Sequence, residues 1–235
     1  IKMDVIIKST DRILVIAPHA DDESIGCGGM LSLYGPQCDI LLLTDGRKGH
    51  TTIQYQNEED LIRVRKEEFI NAGKIAHVND IMLLNIMDGE VANNKTIIFE
   101  TVNIRNYDYV FVPNRYESHL DHKAVYPIFK RLKQKQNSKA RLYEYEVWTP
   151  LRHPTWFLDI TTVSDKKKEM ISQHISQLAD IDYVTKGMAL SCYRGAFNNS
   201  EFSEAYAFSE FTGIKKIIYQ MLPETIKSII KEMMK

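Results

Sequence analysis

The chain has 235 residues, of which 30 are Lys or Arg and 31 are Asp or Glu, so its formal charge is −1 with neutral histidines. This balance argues against a protein that holds nucleic acid or an anionic membrane by net positive charge. Hydrophobic residues make up 44% of the sequence and charged residues 26%, which is typical of a globular protein. We expect one folded domain over residues 1–235.

Short β-branched runs alternate along the chain with stretches of helical periodicity. This order predicts βαβ units and a mostly parallel sheet. The predicted strands are, in chain order, residues 12–17, 39–44, 80–84, 109–113 and 141–147. The predicted helices are residues 24–34, 58–76, 122–135 and 165–178.

The cysteines and the apolar runs indicate the cellular compartment of the protein. The longest apolar run near the start is short and interrupted by charged residues, unlike a secretory leader or a spanning helix. Cys27, Cys38 and Cys192 lack the spacing of a metal finger and cannot all pair with one another, which favours a reducing compartment. We therefore predict a cytoplasmic protein with no transmembrane segment.

The segment from about Gly213 onward differs in composition from the rest of the chain. It carries five Lys and two Glu among regularly spaced Ile and Met residues, which predicts a basic amphipathic helix pair broken near Pro223. The favoured interpretation is that its apolar face packs on the domain. Contact with a membrane surface or a partner protein is the alternative.

Two polar clusters directly follow predicted strands. Residues 18–23 read Pro-His-Ala-Asp-Asp-Glu and residues 119–122 read His-Leu-Asp-His. Because side chains beyond the carboxyl ends of neighbouring parallel strands converge on one crevice, we expect the clusters to share a site. Two imidazoles and one carboxylate can hold a divalent metal with a position open for water, as in catalytic zinc sites. The remaining carboxylate and imidazole would supply a general base and a group that stabilises an oxyanion.

Each cluster also has a purely structural interpretation. Asp21, Asp22 and Glu23 could cap the helix that follows them, since acidic residues are favoured at helix N-termini. His119 and His122 could lie at the exposed start of another helix. Either interpretation is credible for one cluster, but two such clusters after two predicted strands favour a shared site.

The two clusters resemble the signature motifs of the LmbE-like, or PIG-L-like, N-deacetylases. Those motifs are a His-Pro-Asp-Asp-Glu stretch after the first strand and a later His-x-Asp-His stretch, and here Ala20 replaces the proline. The resemblance extends to about residue 210 through shorter matches at Thr44-Asp45-Gly46, Arg65 and Glu68, Asp88-Gly89, Pro113-Asn114, Tyr145-Glu146-Val147-Trp148 and Ser203-Glu204-Ala205-Tyr206.

The resemblance implies a ligand set and a base. His19, Asp22 and His122 correspond to the family's metal ligands, with zinc as the expected metal and iron(II) as the alternative. Asp21 corresponds to the base that activates water.

Four further residues receive roles from the same resemblance. His119 corresponds to the group that stabilises the oxyanion or protonates the departing amine, with Asp121 as its orienting partner. Arg65 and Asp88 correspond to positions that bind sugar hydroxyls, and an Arg fork with an acceptor carboxylate suits a polyhydroxylated ring.

These observations together predict a three-layer α/β/α domain with a Rossmann-like, mostly parallel sheet. The predicted reaction is metal-dependent removal of the N-acetyl group from an N-acetylglucosamine-type sugar or glycoconjugate. The alternatives are an amidase acting on another amide such as a thiol conjugate, a non-catalytic carbohydrate-binding module, and a metal-dependent phosphoesterase. Nucleic acid is not an expected partner.

Several other motifs have weaker interpretations. The glycines of residues 26–29 lack dinucleotide-binding spacing and follow three acidic residues, so close helix packing is the favoured explanation, with Cys27 as a buried thiol. His50 lies on a basic loop that could contact a substrate anion. Tyr116 and Glu117 could shape substrate choice. The aromatic residues Trp148, Trp156 and Tyr193 could form a sugar-stacking wall, although such residues more often lie in the core.

Overall fold

Seven strands form one sheet in this computed structural model, which describes residues 3, 5–208 and 221–233. The strands are β1 (Ile13–Ala17), β2 (Cys38–Thr44), β3 (Asp80–Ile86), β4 (Tyr109–Pro113), β5 (Arg141–Tyr145), β6 (Trp156–Asp159) and β7 (Ser203–Phe208). Their order is β3-β2-β1-β4-β5-β7-β6. The pairs from β3 to β5 are parallel, and β7 pairs antiparallel with β5 and β6. The predicted mostly parallel sheet is confirmed, and it ends in an antiparallel edge.

Helices cover both faces of this sheet. They are α1 (Asp22–Tyr34), α2 (Glu58–Ala76), α3 (Lys95–Thr101), α4 (Leu120–Gln136), α5 (Ser164–Ser172), α6 (Ile175–Leu178), α7 (Tyr183–Gly195) and α8 (Glu224–Met233). Because successive strand residues point to opposite faces, Ile13 and Val15 of β1 lie in a core with α1 and α2, while Leu14 and Ile16 lie in a second core with α3 and α4. The three-layer α/β/α fold is thereby confirmed.

The sheet order brings the two polar clusters together. β1 and β4 are neighbours in the sheet, and the chain leaves β1 toward β2 on one side and later returns to β4 on the other. The crevice at such a switch in strand order is where open α/β sheets bind ligands. Both clusters follow these two strands, so the topology places them at one edge.

Two predicted elements are broken or cut short in the structure. The predicted helix 165–178 is interrupted between α5 and α6, since the backbone N–H of Ser176 donates to the Glu68 carboxylate at 2.7 Å. The predicted strand 141–147 ends at Tyr145, because the N–H of Val147 donates to Glu117. In both places a distant buried carboxylate takes a donor that regular structure would have used.

The last described helix, α8, carries an apolar face that remains exposed. Ile226 and Ile229 are 42% and 57% exposed and belong to neither core. The favoured packing of the tail on the domain therefore has no support in the described residues, and the first helix of the predicted pair falls largely within 209–220, outside them. No helix in the described ranges is both long and apolar enough to cross a membrane.

Glycines let α1 lie unusually close to its neighbours. A Cβ added at Gly26 would lie 2.3 Å from the Tyr145 ring and 2.6 Å from the Glu146 carbonyl oxygen, and one added at Gly29 would lie 2.4 Å from Ile160. Cys27 is fully buried between them. These contacts confirm that the glycines serve close helix packing.

The Gly26→Ala substitution is expected to destabilise the protein by about 1–3 kcal/mol, because the new methyl group would displace a fully buried ring. Gly187→Ala in α7 is the matched control, since its added Cβ would first meet a flexible Ile171 methyl at 3.3 Å, and alanine has the better intrinsic helix propensity. The free energy of unfolding from urea denaturation measures both. Equal effects of the two substitutions would contradict the close-packing argument.

Candidate active site

The turn between β1 and α1 aims the Asp22 side chain back toward His19. Asp21 is the last residue of this turn and has a φ of 135°, a conformation that residues other than glycine rarely adopt. The backbone N–H of His19 donates to Asp22 Oδ2 at 2.8 Å, and the N–H of Asp21 donates to Glu23 Oε2 at 3.2 Å. These two hydrogen bonds hold the strained turn in place.

The three predicted ligands form a compact triangle. His19 Nδ1 lies 3.1 Å from His122 Nε2, His122 Nε2 lies 3.1 Å from Asp22 Oδ2, and His19 Nδ1 lies 3.5 Å from Asp22 Oδ2. All three side chains are buried, although His19 and Asp22 lie about a hundred positions before His122 in the chain. The structure thus brings the predicted ligands together.

The second ring nitrogen of His19 faces two carboxylates. His19 Nε2 lies 3.1 Å from Asp88 Oδ1 and 3.2 Å from Asp121 Oδ2. Because a carboxylate only accepts hydrogen bonds, Nε2 carries a proton, and Nδ1 is the nitrogen that would give its lone pair to a cation bound in the triangle. A carboxylate on the far nitrogen is the usual partner of a metal-bound histidine.

The Asp121 carboxylate therefore differs from the expectation, which paired it with His119. It accepts the backbone N–H groups of Gly89 at 2.7 Å and Val91 at 3.1 Å as well as contacting His19. Since Asp121 lies in the first turn of α4, its side chain reaches back toward the loop after β3. Its carboxylate orients His19 instead.

His119 stands at the open side of the triangle. Its ring centroid lies 4.6 Å from that of His19, and its side chain is exposed. Its Nδ1 accepts the backbone N–H of Asp121 at 3.2 Å, which caps α4 and leaves Nε2 to carry the proton. Burial, together with His19 and His122, lowers the pKa of His119, so a neutral donor faces the site.

Asp21 contributes a carboxylate that is not used for capping. Its side chain makes no cap hydrogen bond to α1, which removes the structural interpretation for this residue. Burial and then the adjacent Asp22 carboxylate raise the pKa of Asp21 to about 6, against the opposing charge of Arg65. A carboxylate with a pKa near neutrality is suited to general base catalysis.

Arg65 and Asp88, the predicted sugar-binding residues, are both buried at the site. Arg65 donates to the carbonyl oxygens of Gly46 at 3.0 Å and Ala20 at 2.9 Å, and its guanidinium lies 3.8 Å from Asp21. These bonds tie the loops after β1 and β2 together. Asp88 Oδ2 accepts the backbone N–H of Lys48 at 3.1 Å, so both side chains also organise the crevice.

The donor set fits a divalent cation. Ligand atoms about 2.0–2.1 Å from a tetrahedral zinc lie about 3.3 Å from one another, close to the triangle's three edges. Asp22 Oδ1 is buried without a hydrogen-bond partner. Although burial opposes it, hydrogen bonds that the His19 ring donates to Asp121, Asp22 and Asp88 raise the pKa of His19, so the carboxylates favour positive charge at this point. The nitrogens of His19, His119 and His122 also lie within 4.8 Å of one another.

A family model described as PIG-L, GlcNAc-PI de-N-acetylase, matches residues 14–133. This match covers just over half of the chain and contains both motifs. The chain belongs to the PIG-L family. The resemblance seen in the sequence is thereby confirmed.

Relatives of this PIG-L chain include sugar deacetylases. It is 28% identical to a diacetylchitobiose deacetylase of Thermococcus kodakarensis over 190 residues, which cover 72% of this chain and 71% of that protein. It is 36% identical over 96 residues to a probable N-acetyl-α-D-glucosaminyl L-malate deacetylase of Bacillus subtilis, covering 38% and 40% of the two chains. An N,N′-diacetylchitobiose deacetylase structure from Pyrococcus horikoshii shares the fold, with a TM-score of 0.75, 22% identity and coverage of 87% and 86%.

Sequence reasoning missed one buried residue of this PIG-L site. His174 belongs to none of the motifs in the sequence, yet its Nε2 lies 3.2 Å from Glu23 Oε1 and 3.1 Å from Ser24 Oγ. The ring is fully buried. The partners lie about 150 positions apart in the chain, so no local signal could have found the contact.

Glu117, which could have shaped substrate choice, has a structural role instead. Its side chain is fully buried, and Oε1 accepts the backbone N–H groups of Val147, Trp148 and Thr149 at 3.2, 3.0 and 3.0 Å. Glu117 therefore anchors the loop after β5 and does not face a substrate directly. Tyr116 beside it is 70% exposed.

Proposed function

We propose that this PIG-L chain is a metal-dependent hydrolase that removes the N-acetyl group from an N-acetylglucosamine-type sugar or glycoconjugate. The observation that carries the proposal is the buried triangle of His19, Asp22 and His122 beside the buried Asp21 carboxylate, which makes no cap hydrogen bond. Deacetylase relatives acting on diacetylchitobiose and on an N-acetylglucosaminyl malate support the substrate class.

We assign the metal to His19 Nδ1, Asp22 Oδ2 and His122 Nε2. Two imidazoles and one carboxylate suit zinc, and iron(II) accepts the same donors. His119 is the alternative third ligand, but its Nδ1 already caps α4 and its side chain is exposed. When bound, the metal polarises the amide carbonyl and lowers the pKa of a water at the site.

Asp21 is the proposed general base. Its carboxylate takes the proton from water as the oxygen attacks the acetyl carbonyl. His119 Nε2–H donates a hydrogen bond to the oxyanion that develops, and the proton that Asp21 took from water passes to the departing nitrogen, directly or through His119. Cleavage of the C–N bond then releases acetate and a free amine, with the proton transferred to that amine.

Asp88 is the proposed acceptor for a sugar hydroxyl, since each carboxylate oxygen can accept a further hydrogen bond beyond those it makes to His19 and Lys48. Arg65 has two donors on backbone carbonyls, and its Nε is buried without a partner. We infer that Arg65 acts mainly by holding the loops that carry Asp21 and Gly46.

Chelation is expected to abolish amine release, and added zinc to restore it, because the proposed reaction depends on the metal. The measurement is amine release from N-acetylglucosamine, N,N′-diacetylchitobiose and an N-acetylglucosaminyl malate by zinc-loaded and chelated protein. A chromogenic phosphodiester assayed in parallel tests the phosphoesterase alternative. Undiminished amine release by chelated, metal-free protein would contradict the metal role, and phosphodiester cleavage alone would overturn the deacetylase.

A further inference from the structure

The three aromatic residues singled out in the sequence lie in different surroundings. Trp156 is buried in the core against Phe111 and Tyr143. Tyr193 is 58% exposed. Trp148 is 40% exposed, and its ring centroid lies 4.8 Å from that of Tyr183 at the start of α7. Trp148 is thus the one of the three that is both accessible and paired with a ring near the site.

Tyr183 is the first residue of α7, the helix that packs against α1. One helical turn beyond Tyr183, Gly187 lies beside Ile25, which is in the first turn of α1 after Asp21. Burial, and then the charge of Asp21, raise the pKa of the Tyr183 hydroxyl. The start of α7, and with it the aromatic pair, therefore lies near the end of α1 that carries the proposed base.

The loop that carries Trp148 is held by the loop that carries His119. Glu117, two residues before His119, accepts three consecutive backbone N–H groups across residues 147–149 through one oxygen. Burying a carboxylate is costly unless it is hydrogen-bonded, and here its bonds are made to the Trp148 loop. These three hydrogen bonds thus fix the backbone at Trp148 relative to the loop that carries His119.

We propose that the Trp148 face, supported by Tyr183, stacks on a second pyranose ring attached to the N-acetyl sugar being deacetylated. One face of a pyranose presents mainly C–H groups while its hydroxyls point outward, and this matches the flat apolar face of an indole. The proposal rests on the deacetylase function and specifies its substrate as at least a disaccharide.

The basic loop after β2 has few unpaired positive charges with which to bind an anionic carrier. Arg47 pairs with Asp45 and Glu58, and His50 pairs with Asp180 at 3.0 Å. Among the described residues, Lys48 is the cation of this loop without an ion pair. A carboxylate-bearing carrier is therefore the competing substrate class, and the experiment below distinguishes it.

The test compares kcat and KM for N-acetylglucosamine, N,N′-diacetylchitobiose and an N-acetylglucosaminyl malate. Wild-type protein is expected to prefer the disaccharide. Trp148→Ala is expected to lower kcat/KM for the disaccharide by roughly tenfold, mainly through KM, and to leave the monosaccharide unchanged, since a buried aromatic contact is among the largest single contributions to binding. Trp148→Phe, which keeps a ring, should retain most of the preference.

Tyr193→Ala is the matched control, because this exposed aromatic residue lies ten positions, or about 15 Å, along α7 from Tyr183. It should change none of the constants. Equal loss on the monosaccharide and the disaccharide in Trp148→Ala would overturn the stacking role while leaving the deacetylase intact, as would a wild-type preference for the malate conjugate. No amine release by wild-type protein from any of the three would instead overturn the proposed function.

Discussion

Asp21→Asn is expected to lower kcat by about 100- to 10,000-fold, the usual contribution of a positioned general base. The amide has the shape of the carboxylate but cannot take a proton from water at neutral pH. Because the Asp21 side chain makes no cap bond and lies outside the ligand triangle, the fold and the bound metal should persist. Steady-state amine release and elemental analysis measure the two effects.

The matched control for Asp21→Asn is Asp39→Asn, which changes another buried carboxylate. Asp39 lies near the amino end of β2 and accepts hydrogen bonds from Arg12, Asn79 and Tyr107. Its substitution should lower the unfolding temperature without lowering kcat. Retention of more than about a tenth of the activity in metal-loaded Asp21→Asn protein would contradict the base assignment.

His19→Ala and Asp22→Asn are each expected to weaken metal affinity by more than about 100-fold, since even the partners of metal ligands commonly contribute 10- to 100-fold. Activity should fall with the metal content. The measurement is zinc per chain after dialysis against a competing chelator, with circular dichroism to verify folding.

Two histidine variants sharpen this metal prediction. His119→Asn keeps an acceptor for the N-terminus of α4 and is expected to retain the metal while losing activity. His50→Ala removes a histidine whose side chain is 88% exposed and paired only with Asp180 in the described residues, and it should retain the metal too. Loss of zinc in His119→Asn with retention in Asp22→Asn would exchange the two residues in the ligand set.

The helices and strands show how much of the fold local sequence patterns can predict. The role of the α1 glycines in close packing was predictable from the sequence. The bounds of α2 were predictable too, since Glu58–Ala76 shows a clear 3.6-residue apolar repeat. The short helix α3 and the edge strand β6 have seven and four residues, too few for periodicity to distinguish them. The break between α5 and α6 depends on Glu68, about a hundred positions away.

The contacts of individual side chains were less predictable than their places along the chain. Asp121 was expected to orient His119, but its carboxylate contacts His19, 102 positions away. His174 has no sequence signal, and it meets Glu23 151 positions away. A motif identifies residue types and spacing, whereas the direction in which each side chain points depends on the loop that packs opposite it.

The sequence by itself determined strands β1 to β5, helices α1, α2 and α4, the sheet class and the location of the two clusters. Periods of 2 and 3.6 residues reflect backbone geometry alone, and motifs that follow strands end at one edge of any parallel sheet. The tertiary structure decided which nitrogen of His19 faces the triangle, to which backbone carbonyls Arg65 donates, and which tryptophan is exposed near the crevice. Those outcomes depend on hydrogen bonds between distant loops, because a buried polar group must find its partner wherever the fold brings one.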